Sequence, residues 1–219
     1  FSSHMGFVEH IELKNSSFIN NYAESKTNTA YGGAIFSVGN INITADNGQS
    51  IFSGNKTISN GVTEQNAIDI YGIYVSAEEA EILGLPSSPG FVSSTGTLLD
   101  KNTVSLTLKA INNGTITIND TIRGGAVGYF DLLPNQIINE SPESAYTLHI
   151  SGDQSGTIYL NNAVINANIT LEKTNLYLGA DTVFDQSKSL TLTSGSLSMA
   201  NKSTGTLNNV ILNSTSTIK

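Results

Sequence analysis

Paired carboxylates are the residues of this chain with the clearest chemical potential, because one acid and one facing carboxylate suffice to hydrolyse a glycosidic bond. Spacing offers two candidates, Asp181 with Asp185 and Asn119-Asp120 with Arg123. Each has a plainer reading as turn chemistry. Asp181 follows Gly179-Ala180, and Asp120 closes an alternating run ahead of Gly124. Of the three histidines, His4 lies among five leading residues, Phe1 to Met5, that read as a tag scar with the native start upstream. His10 and His149 stand far apart, without sequence neighbours of triad or metal-ligand type. The chain has no cysteine, which excludes disulfides, thiol catalysis and thiolate metal sites. Calcium repeats of the G-G-x-G-x-D type are missing too. The expectation is a chain that is not an enzyme, with no catalytic, cofactor-binding or metal-ligating residues.

The elements that would position any site follow from composition and period. Asn, Ser and Thr make up about a third of the 219 residues, and only 13% are charged. Those side chains compete for their own backbone in helices but suit strands and turns. In the last third, Ile169, Leu176, Val183, Leu190 and Leu197 fall seven residues apart, with apolar companions at Leu171, Leu178, Phe184, Leu192 and Met199. The intervening residues are polar and small, so this is not a coiled coil. Apolar pairs at i and i+2 instead put two side chains on one face of a short strand. A strand about every seven residues leaves two or three residues for each bend, and three such strands make a turn of about 21 residues. The predicted fold is therefore all-β: a right-handed parallel β-helix, a solenoid of triangular coils of about 21 residues. A sandwich would need longer strands and hairpin turns. Asn-Gly occurs at Asn47, Asn60 and Asn113, and only the last is flanked by plainly strand-like runs.

Four tetrapeptides stand out in the first part of the chain. Phe18-Ile19-Asn20-Asn21 and Phe52-Ser53-Gly54-Asn55 share F-x-x-N; Gly32-Gly33-Ala34-Ile35 and Gly124-Gly125-Ala126-Val127 share G-G-A-[I/V]. In stacked coils like lies over like. Phe18 and Phe52 are expected to stack inside, with Asn21 and Asn55 bonding to backbone at a corner or to one another. Gly32 and Gly33 supply a bend with positive φ.

These tetrapeptides resemble the repeats of the polymorphic outer-membrane protein family, within the autotransporter passenger domains. The motifs cover residues 11 to 127, and residues 146 to 219 are similar to generic autotransporter repeats. Phe184 is followed by Ser187 where the pattern has Asn. The resemblance implies a bacterial surface-exposed or secreted passenger, commonly an adhesin, anchored at the outer membrane by a C-terminal membrane β-barrel that this sequence does not contain.

Two segments break the pattern. In residues 72–102, Ser76-Ala77-Glu78-Glu79 reads as a capping box that opens a short helix through Leu83, stopped by Gly84 and Pro86. The second covers 129–145. Insertions leave a solenoid at its corners and often build its binding face. Tyr74, Glu79, Leu83 and Phe91 in the first, and Phe130, Leu132, Leu133 and Ile137 in the second, are candidate partner-binding residues. The plainer alternative is that both insertions pack as lids.

Residues 6–219 thus read as one β-helix with two insertions, recognising a host cell-surface protein or glycan. The net charge of -8 is spread thinly, with no basic block, so nucleic acid is not an expected partner. A carbohydrate-active enzyme on the same scaffold, a polysaccharide lyase or glycoside hydrolase, is one alternative. A structural stalk is the other.

Overall fold

The computed structural model describes residues 10–93, 97–99, 101–128, 140–141, 146–165, 167–184, 188–200 and 209–218. It is nearly all β, with one short helix, and its dominant feature is a 12-stranded sheet. That sheet is curled into a half-barrel, an arrangement consistent with a β-helix or solenoid.

Two parallel stacks of strands build the sheet. The first stack takes His10–Lys14, Asn40–Asp46, Ser105–Ile111, Thr147–Gly152, Asn168–Glu172 and the start of Ser189–Met199. The second takes Ser17–Ile19, Gln49–Ser53, Thr115–Ile118, Thr157–Leu160, Thr174–Leu178 and the end of Ser189–Met199. Ser189–Met199 and its partner Asn209–Ile218 run through the corner between the stacks and join them. The corner in Ser189–Met199 is made by Gly195 at φ +111 and a register shift between Leu192 and Ser194.

Strict alternation explains why these segments are strands. In Asn40–Asp46, Ile41, Ile43 and Ala45 are buried while the residues between them are partly exposed. Ile41 and Ile43 lie in register with Leu106 and Leu108, these with Leu148 and Ile150, and these with Ile169 and Leu171. All eight side chains are buried. Burial of each contributes about 1.5–3 kcal/mol, so the aliphatic column is the main support of the stack.

The corner between the two stacks is written in left-handed residues. Asn15, Asn47, Asn112, Asn113, Gln154 and Lys173 all have positive φ. Asn tolerates this conformation better than most residues, and its short amide can bond locally. Asn15 donates to the Asp46 carbonyl at 3.0 Å and accepts from the Asp46 N–H at 2.9 Å, tying one turn to the next.

The remaining side of the molecule is divided among smaller sheets. Tyr22–Ser25 pairs parallel with Lys56–Ser59, which folds back antiparallel onto Val62–Gln65. That hairpin turns on Asn60 and Gly61, both at positive φ, as a two-residue turn with left-handed centre requires. The sequence pointed to Asn113-Gly114 as the best flanked of the three Asn-Gly pairs, but that pair lies at the corner between the two parallel stacks. Ile35–Ser37, Ile68–Val75 and Ile122–Gly128 form a second sheet on this side, and Val164–Ile165 with Val183–Phe184 a third.

The insertion at 72–102 is ordered as part of this second sheet. Gly90–Val92 pairs antiparallel with Ile68–Val75, and Leu98–Leu99 pairs with Gly90–Val92. Between them Ala77–Ile82 forms the expected helix. Ser76 caps it, accepting from Glu79 N–H at 3.2 Å, while the Glu79 carboxylate accepts from Ser76 N–H at 2.6 Å. Ala80 is buried and the helix contacts Ile68–Val75, whose outward residues Asp69, Tyr71 and Ile73 are buried as well. The described part of this insertion thus pairs with and packs against Ile68–Val75. Of the second insertion, only the Glu140–Ser141 strand is described, pairing with Ala126 and Val127. Phe130, Leu132, Leu133 and Ile137 lie outside the described residues, as do the tag-like residues 1–5 and Asp185.

Candidate functional site

The F-x-x-N motifs stack as expected. Phe18 and Phe52 are register partners, with ring centroids 5.0 Å apart and planes within 13°. Three residues on, the Asn21 amide donates to the Asn55 side-chain oxygen at 2.9 Å. Asn55, fully buried, donates in turn to the Phe18 carbonyl at 2.9 Å and to Asp120 at 2.8 Å. Asp120 also accepts from the Gly54 and Asn55 N–H groups, each at 3.0 Å. Asn21, Asn55 and Asp120 thus form one ladder across three turns. It satisfies the buried amide and carboxylate, as burial of polar groups demands.

The G-G-A-[I/V] motifs do not stack on one another. Ile35 pairs with Ile68, and Ile68 with Ile122, whereas Val127 pairs with Ile73. The second motif is therefore displaced along the ladder from the first, and it lies inside a strand where the first leads into one. Their glycines also do different things. Gly32 bends at φ +65 and donates its N–H to Asp69 at 2.6 Å; Gly33 donates to the Asn66 side-chain oxygen at 2.8 Å. Gly33 has an ordinary φ and is glycine for space, since a Cβ there would strike the Asn66 carbonyl. Gly124 likewise leaves room for the Tyr146 ring and the Ile70 carbonyl. Gly125 accepts from Asn102 at 2.9 Å. Ala126 and Val127 are buried.

Asp69 is the residue that sequence reasoning missed. Its side chain is wholly buried and accepts from Gly32, from Asn66 at 3.1 Å, and from Arg123 through Nε and Nη2 at 2.8 Å each. Burial pulls the Arg123 pKa down, but the hydrogen bond to Asp69 and its charge outweigh burial and raise it above the usual value. Arg123 also reaches Glu64 at 3.2 Å and lies 6.0 Å from the Tyr31 ring centre. The available signal was a lone acid in the apolar run Ile68-Asp69-Ile70, which needs a buried cation. The sequence offered Asp120 as the partner of Arg123, but Asp120 is committed to the asparagine ladder.

The other candidates are separated. His10 lies 3.6 Å from Glu12, and His149 Nδ1 lies 2.7 Å from the Thr170 hydroxyl. Asp153, a carboxylate outside the pairs picked out by spacing, sits at an exposed corner, held by Ser155 at 2.6 Å and by the Asn112 N–H at 2.8 Å. The hydrogen bond from Ser155, then that from Asn112, keeps its carboxyl well below the ordinary range, at about 2. Among the described residues, no group of three or more His, Cys, Asp or Glu side chains could hold a metal ion.

Within the first insertion, Tyr74 and Phe91 pack edge to face with centroids 5.3 Å apart, and Glu79 is used by the capping box. Leu83 closes the helix as its C-cap. Tyr74, Phe91 and Glu79 are thus engaged within the insertion, while Ile82 of the helix is exposed. Comparison with family models, curated proteins and solved structures finds no match for this chain.

Proposed function

We propose that this chain is part of a bacterial surface-exposed or secreted passenger of autotransporter type, acting as an adhesin or host-recognition module. Its scaffold in this reading is a right-handed parallel β-helix with triangular coils of about 21 residues. The spacing supports that dimension: ladder partners are 21 residues apart at Asn168 and Ser189 and at Asn175 and Ser196. Three strands, Asn168–Glu172, Thr174–Leu178 and Val183–Phe184, precede the return to Ser189.

One observation carries the functional reading. Asp69 and Arg123 are adjacent rungs of a ladder although 54 residues separate them, because the insertion leaves the stack and the register resumes after it. A rigid shaft that tolerates such decoration suits the display of recognition surfaces away from a cell. Individual contacts through Asn, Ser and Thr are weak, and multivalent display raises their avidity. The partner in this reading is a host cell-surface protein or glycan. The whole protein would carry a membrane β-barrel elsewhere.

The test is binding of the purified chain to host cells and immobilised host-surface proteins and glycans. A version with residues 76–101 replaced by a short linker runs beside it. Saturable binding is expected. Its complete absence would overturn recognition and leave the stalk reading.

A further inference from the structure

The second stack differs from the first in charge. Its described strands, from Ser17–Ile19 to the end of Ser189–Met199, contain no Asp, Glu, Lys or Arg, whereas the first stack carries Glu12, Lys14, Asp46, Lys109 and Glu172. In a chain of net charge -8 this leaves a neutral outer face across six stacked strands. One row of that face runs in register through Ile51, Thr117, Tyr159, Tyr177 and Ser198. Tyr159 and Tyr177 are both part-exposed, with ring centroids 5.5 Å apart. Beside them lie Thr157 and Asn175, and Asn161 donates to Asn119 at 2.7 Å along the edge.

We propose that this face docks an uncharged glycan, with the Tyr159 and Tyr177 rings, tilted 54° to each other, as its apolar contacts. The inference rests on the recognition reading above and names its partner class. A neutral face gives no electrostatic steering and offers no compensation for a desolvated charge, so a sulfated or sialylated ligand is poorly served there. An uncharged sugar presents apolar C–H faces and hydroxyls. Tyr rings offer rigid apolar area with a polar tip, and Thr, Ser and Asn both donate and accept. Strand neighbours repeat about every 4.8 Å, so a chain-like glycan meets the same chemistry again along the stack. Tyr74 and Phe91 of the first insertion, by contrast, pack on each other.

The experiment titrates the purified chain with soluble neutral hexose and N-acetylhexosamine oligomers at low and high salt. Sialylated and sulfated oligosaccharides serve as counter-probes. Neutral oligomers are expected to bind with affinity nearly independent of salt. The double variant Tyr159→Ala/Tyr177→Ala should lose at least about tenfold in affinity. Tyr159→Phe/Tyr177→Phe should retain binding within about threefold. Thr157→Lys, which leaves both rings in place, should weaken binding as the double alanine variant does. Circular dichroism and thermal midpoint verify that each variant folds. Absence of neutral-oligomer binding overturns the proposal, as does preference for acidic probes with steep salt dependence. Affinity unchanged in Tyr159→Ala/Tyr177→Ala or Thr157→Lys overturns it too. So does a dimer in sedimentation that the double alanine variant dissolves, since a second copy would then cover the face. If host-cell binding survives the tyrosine variants but is lost when 76–101 is replaced, the recognition reading stands and this inference falls.

Discussion

Arg123 grips Asp69 with two nitrogens, Nε on one carboxylate oxygen and Nη2 on the other, both at 2.8 Å. The two residues are register partners across parallel strands, so the guanidinium lies along the ladder direction. Through Asp69 it reaches Gly32, and through its own Nη2 the Ala30 carbonyl at 3.4 Å, fastening the first loop to the third turn.

Removing one partner of this pair strands a buried charge. Arg123→Ala is expected to cost about 3–5 kcal/mol in chemical denaturation, because Asp69 keeps its desolvation cost without compensation. Lys14→Ala removes an ion pair to Asp46 at 2.7 Å that is exposed on the lysine side. It should cost far less, because solvent screens the exposed pair. Equal losses in the two variants would refute the distinction.

The asparagine ladder predicts a second large effect. Asn55→Ala deletes the donor to Phe18 and Asp120 and the acceptor for Asn21, leaving Asp120 buried with fewer partners. The unfolding free energy should fall by about 3 kcal/mol, the cost of unmaking several bonds to buried groups. Asn161→Ala, at the part-exposed outer ladder, should cost no more than about 1 kcal/mol on the same assay.

Glycines in this chain resist replacement for different reasons. Gly124→Ala forces a methyl against the Tyr146 ring and the Ile70 carbonyl, and overpacking of this kind costs about 1–3 kcal/mol. Gly61→Ala meets nothing within 4 Å and pays only for its φ of +81, about 1–2 kcal/mol. Tyr146 itself offers a contrast. Its hydroxyl is buried with no hydrogen-bond partner among the described residues, and burial raises its pKa. Tyr146→Phe should leave the thermal midpoint unchanged or raise it, since the orphaned hydroxyl goes and the ring stays.

Acid should loosen the exposed corner. Asp153 has a folded-state pKa depressed to about 2 from an ordinary 3.8, so it favours the folded state when ionised. That contribution is complete above the ordinary value and disappears as pH falls through about 2. Asp46 is shifted in the same direction, by hydrogen bonds from Lys14 and then Asn112. Thermal midpoints of the parent chain and Asp153→Ala, compared across acid pH, should differ above the ordinary carboxylate range and converge near the bottom of the window. A constant difference would contradict the linkage.

Much of this architecture was legible because its determinants are local. Alternation marked the strands, Ser76 and Glu79 marked the helix, and Phe18 and Phe52 announced their own stacking. Of the residues that carry the seven-residue spacing, most point inward. Ile169, Leu176, Leu190 and Leu197 are buried, but Val183 is 44% exposed and its neighbour Phe184, at 9%, points inward. A two-residue strand between bends carries too little pattern to fix its phase. Partnerships across insertions were not legible, because nothing local in Asp69 or Arg123 says that the chain returns to its own ladder 54 positions on. Repetition also misled. The two G-G-A-[I/V] tetrapeptides share a sequence and differ in place, since glycine answers both to bending and to crowding.

Each described strand of the 12-stranded sheet bonds only to the strands beside it in the stack. Cohesion is then a sum over adjacent layers, and no single centre must form before the rest. Amide protons of Leu106–Leu108, walled by turns on both sides, should exchange with solvent slowest, and those of His10–Lys14 at one boundary far sooner. Such a molecule frays like a rope, shedding its outermost described plies while its middle still holds.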